Sequence, residues 1–357
     1  MGREAPHILF AGGGTLGPVT PLLAVAQYLK DRGARFSWVG TSGGPEKGIV
    51  EGQGIAFHAI RSGKLRRYLS WRNLSDPFLV LAGTCDAWRL LGRLRPDVVV
   101  SAGGFVAVPA VWAAWLRRIP VHVHQQDYRP GLANRLSAPF AASISVAFEK
   151  SLVDFDQAKT VWTGNPVRPA VRRGERDRAI HRFGLDPSRP TVLVLGGGGG
   201  SASLNDLLKA SLDTVGGVAQ VIHLTGRGKE AAAAAPGYHA FELLGEEIAD
   251  AYEAADLVVS RAGMGTLSEI AALGKPALII PLPGTHQEEN ARHFADQGGV
   301  AYLDESGLTP QEFGQAVRRL IRDRDRLRTL ADTVSRVMKQ EAERRVAEMI
   351  LAAARPD

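Results

Sequence analysis

Short apolar runs recur along the chain, each followed within a few positions by glycine and then by apolar residues at helical spacing. Residues 7–10, 36–39, 98–100, 121–124 and 144–146 read as buried strands, because they are brief, continuous and bounded by turn residues. A helical pattern over 21–32 follows the first strand, and a short apolar helix over 112–118 lies between the third and fourth. Strands alternating with helices in this way predict βαβ units and a parallel sheet. Thr163-Gly164-Asn165-Pro166-Val167-Arg168 has the composition of a hinge. After a charged stretch ending near Arg189 the pattern restarts with a strand at 191–195, five glycines at 196–200 and a helix over 204–215. Strands at 221–224, 257–259 and 277–280 follow, and 316–354 is helical with a break around 323–328. The fold class is α/β, with two Rossmann-like domains whose strand carboxyl ends are expected to face a cleft.

The most informative stretch is 257–276, LVVSRAGMGTLSEIAALGKP. A strand runs into Gly263 and Gly265, where backbone N–H groups can approach a ligand with no Cβ in the way, and a helix opens at once. Unpaired N–H groups and the positive end of the helix dipole make this a place for phosphate. Glu269 has two readings here: it reaches past the phosphates to a ribose diol, or it closes a Thr-x-x-Glu capping box with Thr266.

At 357 residues and 45% hydrophobic, the chain can bury two ordinary cores. The single Cys85 cannot form an internal disulfide, which fits a reducing compartment. No secretory signal precedes the first strand. The longest uncharged run, 98–116, is punctuated by Gly103-Gly104 and Pro109, which suits a buried α/β unit better than a membrane span. The net charge of +6 is unevenly placed. Residues 61–120 hold ten Lys or Arg and three Asp. Within that segment Lys64, Arg66, Arg67, Trp71 and Arg72 interleave cations with apolar and aromatic residues, a composition suited to an anionic membrane surface, with nucleic acid and a plain solvated face as competitors. The loop 12–17 invites a dinucleotide reading, but the second strand ends Val39-Gly40-Thr41-Ser42 with no acid for a ribose hydroxyl. The loop is left as a backbone cradle for an anion. The Asp-x-Asp triplets at 154–156 and 323–325 do not sit at strand ends, so no metal site is expected.

Several short motifs occur in a fixed order: Gly13-Gly14-Thr15 with Pro21, Ser101-Ala102-Gly103-Gly104-Phe105-Val106, His124-Gln125-Gln126-Asp127, Gly131-Leu132-Ala133-Asn134, Gly164-Asn165-Pro166-Val167-Arg168, Ser260 to Glu269, and Gln287 with Asn290-Ala291. On these the chain resembles, nearly end to end, the MurG family of peripheral membrane transferases, which move N-acetylglucosamine from UDP onto lipid I to make lipid II. The resemblance implies a GT-B type fold and an inverting, metal-independent transferase that needs no cofactor. Its partners would be UDP-N-acetylglucosamine, a polyprenyl-diphosphate-linked acceptor and an anionic membrane surface, with no nucleic acid, at the cytoplasmic face of the cell membrane. It divides the chain into an acceptor and membrane-facing domain at 1–166, a donor domain at 167–335, and a C-terminal helix at 336–357 packing back on the first. It places Gly245 and Met264 beside the uracil, Glu269 on the ribose, Met264, Gly265, Thr266, Leu267 and Ser268 around the phosphates, and Gln287 on the sugar. Arg168, Gly198 and Gly199, with Thr15, Leu16, Gly17 and Asn134, complete the donor set.

The chain departs from the family pattern at chemically important positions. The family's GGTGGH is Gly13-Gly14-Thr15-Leu16-Gly17-Pro18, HEQN is His124-Gln125-Gln126-Asp127, and GGSQG is glycine throughout 196–200. Pro18 cannot take a proton, and an inverting transfer needs a base near the acceptor hydroxyl. Asp127 is the expected base and His124 the second candidate. The competing functions are a transferase with another lipid-linked acceptor, an epimerase acting on UDP-N-acetylglucosamine, and a non-catalytic sugar-nucleotide binder.

Overall fold

The computed structural model describes residues 5–63, 72–229 and 235–354. The chain divides into two compact units, Met1–Arg168 with Lys339–Asp357, and Pro169–Met338.

In the first unit β1 (His7–Ala11), α1 (Val19–Lys30), β2 (Arg35–Gly40), α2 (Glu46–Gly52), β3 (Ala56–Ala59), α3 (Arg72–Leu94), β4 (Val98–Ser101), α4 (Ala107–Leu116), β5 (Val121–Gln125), α5 (Leu132–Ser137), β6 (Ser143–Val146) and β7 (Thr160–Trp162) follow one another. Among the described residues they build a seven-stranded sheet ordered β3-β2-β1-β4-β5-β6-β7, parallel throughout. Side chains alternate across it. Leu9, Ala11 and Val99 join a core with α3 and α4, and Ile8, Phe10, Val98 and Val100 join one with α1. Both faces are covered, which is why these strands are apolar without interruption.

The second unit runs α6 (Arg176–Phe183), β8 (Thr191–Leu195), α7 (Ala202–Lys209), α8 (Leu212–Gly216), β9 (Gln220–Leu224), β10 (Tyr238–Phe241), α9 (Ile248–Ala254), β11 (Leu257–Ser260), α10 (Met264–Leu273), β12 (Ala277–Ile279), α11 (Gln287–Asp296), β13 (Ala301–Tyr302), α12 (Pro310–Arg322) and α13 (Arg324–Val337). Its described strands form a six-stranded parallel sheet, β10-β9-β8-β11-β12-β13. The chain then returns: α14 (Ala342–Ala353) packs on α1, β4, β5 and β6, burying Val346, Ala347 and Ile350 in the first unit.

Four helical stretches differ from the sequence expectation; the one anticipated over 316–354 begins at Pro310 and is interrupted at Asp323 and again at 338–341, with 324–328 helical. Those anticipated at 21–32 and 112–118 begin earlier, at Val19 and Ala107, because Pro21 and Pro109 fall in the first turn, where no N–H is needed. The helix anticipated over 204–215 is two helices broken at Ser211, whose hydroxyl lies 2.6 Å from Leu207 O and 2.7 Å from Pro310 O.

In a parallel sheet, ligands bind beyond the carboxyl ends of the strands where the strand order reverses. That point lies between β1 and β4 in the first unit and between β8 and β11 in the second.

Candidate active site

In the first unit the switch point carries the loop 12–17 on one side and 102–106 on the other. The two loops touch: a Cβ on Gly104 would strike Gly13 O, and one on Gly14 would enter the Phe105 ring. Glu46, fully buried at the start of α2, packs against Gly13. Its carboxylate accepts from Gly14 N at 3.2 Å, Thr41 N at 2.8 Å and Thr41 Oγ1 at 2.7 Å. An acid therefore does meet this loop. It lies five residues beyond Thr41, past the end of β2 where sequence reasoning sought it, and it takes up the Gly14 N–H. The loop is a turn braced by this carboxylate at Gly14. Thr15, Leu16 and Gly17 follow, and Pro18 is the N-cap of α1.

At the end of β5, His124 is fully buried, with Nδ1 2.8 Å from Ser145 Oγ and Nε2 2.8 Å from Asn165 Oδ1. Asn165 Oδ1 can only accept, so Nε2 carries the hydrogen and Nδ1 accepts from Ser145. Burial pushes the imidazole down to about 4, against a smaller upward pull from Asn165. Neither nitrogen is open to a substrate proton. Gln125 explains one departure from the family pattern. Its Nε2 donates to Asp127 O at 2.8 Å and Arg129 O at 3.0 Å, while its Oε1 accepts from Asn134 Nδ2 at 2.6 Å. A carboxylate could not make the first two bonds. Asn134 also donates to His124 O at 3.0 Å. Asp127 is half-buried in the turn that Gln125 shapes. Gln126, just before it, places its amide nitrogen 3.4 Å from where a Gly17 Cβ would stand, so the Asp127 turn and the loop 12–17 come together. Arg168 ends the segment after β7 and is the last residue of this part of the first unit.

In the second unit, Gly198 and Gly199 lie between β8 and α7, flanked by Gly197 and Gly200 with φ of 78° and 65°. Lys229, which sequence reasoning missed, donates to Gly199 O at 2.7 Å. Across the switch point, α10 begins at Met264 with Gly263 as an N-cap that offers no side chain. The capping-box reading of Thr266 and Glu269 is thereby corrected: Thr266 lies inside the first turn and Glu269 one turn further on. Glu269 Oε2 accepts from Tyr252 Oη at 2.9 Å. A capping box does form in this unit, but at Thr309 and Glu312. Met264, Thr266, Leu267 and Ser268 are buried and Gly265 is half-buried. Ser268 turns its hydroxyl back to Met264 O at 2.6 Å. Gln287 opens α11 and accepts from Leu282 N at 3.2 Å. Gly245, between β10 and α9, donates to Glu247 Oε2 at 2.9 Å.

Sequence reasoning also passed over Arg261 and Glu305. Arg261 is buried and joined to Glu305 by two bonds of 2.6 and 2.8 Å. Burial alone would raise the Glu305 carboxyl, but the bonds from Arg261 and Ser203 hold it below the usual range. Nothing in the apolar pattern marked the pair, because Glu305 stands 44 positions after Arg261 in the chain.

Comparison with known proteins turns this geometry into a family. The description "Glycosyltransferase family 28 N-terminal domain" matches residues 8–146, and "Glycosyltransferase family 28 C-terminal domain" matches 191–349. The chain belongs to glycosyltransferase family 28. The C-terminal match of this family 28 chain runs past Met338 into α14, which packs in the first unit. The UDP-N-acetylglucosamine–N-acetylmuramyl-(pentapeptide) pyrophosphoryl-undecaprenol N-acetylglucosamine transferase of Legionella pneumophila (strain Paris) is 38% identical over 354 residues, 95% of this chain and 98% of that protein. A protein of Bacillus cereus (strain ATCC 14579) with the same name, numbered 2, is 37% identical over 90% of this chain and 93% of its own. Among solved structures, MurG of Acinetobacter baumannii superimposes with a TM-score of 0.73 at 27% identity, covering 97% of this chain and 99% of that one. The two-domain α/β class expected from the sequence is the fold observed.

Proposed function

We propose that this family 28 chain transfers N-acetylglucosamine from UDP-N-acetylglucosamine to the muramoyl sugar of lipid I, giving lipid II, with inversion and without a metal. The acceptor hydroxyl attacks the anomeric carbon, the bond from that carbon to the UDP oxygen breaks, and UDP departs with the electron pair. The observation that carries this reading is the start of α10 at the switch point, with Glu269 one turn further on, in a chain 38% identical over 95% of its length to a protein named for this transfer. Charge grows on the leaving diphosphate, and N–H groups fixed at a helix start stabilise it without reorganising. Glu269 receives the ribose, Gly245 and Met264 border the base, Gln287 the sugar, and Asp127 takes the acceptor proton. Of the two candidate bases, Asp127 is favoured because it is half-buried in the turn after β5, whereas His124 is fully buried in the core.

The acceptor is lipid-linked, and one face of the first unit suits a bilayer. Phe78, Leu81 and Trp88 on α3 are 73%, 59% and 46% exposed, and Trp115 and Leu116 end α4 in the same state. Arg117 lies over the Trp88 ring at 3.9 Å, and Arg89, Arg93 and Arg118 are nearby in sequence. Apolar side chains among arginines fit the headgroup region of an anionic leaflet. No described helix is long and apolar enough to cross a membrane. Of the residues expected on this surface, Lys64, Arg66, Arg67 and Trp71 lie outside the described residues, and Arg72 is the first residue of α3. Binding at the cytoplasmic face of the membrane follows from this reading.

The test is to incubate the purified protein with UDP-N-acetylglucosamine, with and without a lipid I analogue, and to follow UDP and sugar products. Acceptor-dependent UDP with a disaccharide product is expected. N-acetylmannosamine would establish an epimerase instead, and binding without turnover a sugar-nucleotide binder.

A further inference from the structure

We infer that Arg261 is a positioning residue that fastens the glycine loop 196–200 to the start of α10 and is not itself a phosphate ligand; this rests on the donor-site reading above. A guanidinium has five N–H groups in a fixed fork. Here Nε donates to Ser201 Oγ at 2.9 Å, Nη2 to Ser203 Oγ at 2.6 Å and Glu305 Oε1 at 2.6 Å, and Nη1 to Glu305 Oε2 at 2.8 Å and Ile280 O at 3.0 Å. All five are engaged, and the charge is matched by the half-buried Glu305 carboxylate. Nothing of this side chain is left for a diphosphate.

What it holds is the site's frame. Ser201 is the residue to which the glycine loop returns and the N-cap of α7, accepting from Leu204 N at 3.4 Å. The loop is turned tightly on itself: Gly200 N donates to Gly197 O at 2.9 Å, and a Cβ on Gly196 would strike Ser201. Residues 196–200 carry no side chain that could anchor the loop from within. Arg261 stands two residues before the N-cap of α10, so one guanidinium couples the glycine loop, whose Gly198 and Gly199 belong to the expected donor set, to the helix start proposed to receive the diphosphate. Ile280, just past β12, and Glu305, beyond β13, fix the guanidinium from the far side.

The experiment measures UDP affinity by calorimetry, and KM and kcat for UDP-N-acetylglucosamine, in the full chain carrying Arg261→Lys or Ser201→Ala with Ser203→Ala. Lysine keeps the charge but loses the fork, and the two alanines uncouple the loop while leaving the Arg261–Glu305 pair in place. Both variants are expected to fold and to weaken UDP binding about tenfold, the effect of losing one or two hydrogen bonds to a charged group. Donor KM rises in parallel, and acceptor KM stays within about twofold on the same scale of effect. A purely structural role would lower the melting temperature with UDP affinity unchanged in the folded protein. That result in either folded variant overturns the inference and leaves the donor-site reading standing. Wild-type protein that binds no UDP overturns both.

Discussion

Asp127 owes its place to a neighbour. The Gln125 amide donates to two carbonyls of the turn that carries Asp127, so glutamine at 125 and aspartate at 127 read as one change in the local pattern. If Asp127 receives the acceptor proton, Asp127→Asn lowers kcat about 100-fold, within the range removed with a general base, while donor KM barely moves. Steady-state rates with both substrates saturating decide it, and turnover near wild type removes Asp127 from the mechanism. His124 offers no comparable test at this site, because its hydrogen bonds belong to the core.

Among the elements, α3 and α4 carry the proposed membrane contact through side chains that no core requires. Replacing Phe78, Leu81 and Trp88 together by serine is expected to cut partitioning onto vesicles containing anionic lipid at least tenfold, since each removes well over 1 kcal/mol of transferable apolar surface. Vesicle co-sedimentation measures it, and turnover of a water-soluble acceptor analogue should be unaffected. The strands show how far the sequence could be read. Those recognised as apolar runs are covered on both faces. β3, β7, β10 and β13 went unrecognised, and they are the edges of the two described sheets, where half-exposed residues dilute the pattern. α3 escaped notice because its apolar residues are divided between the core and solvent. The site was legible where backbone chemistry makes it, in the glycines and the start of α10. It was illegible where distant residues converge, as with Glu46 on Gly14 and Glu305 on Arg261. Thr266-Leu267-Ser268-Glu269 and Thr309-Pro310-Gln311-Glu312 share a spacing, yet only the second is a capping box. The difference lies in where each helix begins, and Pro310 in the first turn marks the start of the second.

At the scale of the whole molecule, the buried histidines His122, His124 and His223 tie stability to pH. Burial pushes His122 down to about 3 and His124 and His223 to about 4, from 6.5. His122 also feels the charge of His124, and His223 that of Lys209. Unfolded, each binds a proton below 6.5, so unfolding takes up protons between 6.5 and about 4 for His124 and His223, and down to about 3 for His122. Their contribution is fully present above 6.5 and is lost as pH falls through that window. The urea midpoint is expected to drop steadily over the same range, and His223→Gln to make the fall shallower by one proton. A midpoint that is flat across the window would mean that these side chains are not held neutral.

The return of α14 to the first unit has a consequence for how the protein is made. Residues 169–338 form an insertion within a unit whose two parts lie on either side of it in the chain. As the chain leaves the ribosome, the first sheet emerges early, but Val346, Ala347 and Ile350, which cover its α1 face, emerge only after the whole inserted unit. The inserted unit is therefore synthesised in full before the first unit is. Until α14 arrives, α1 and the strands β4, β5 and β6 lack the helix that packs on them in the finished protein.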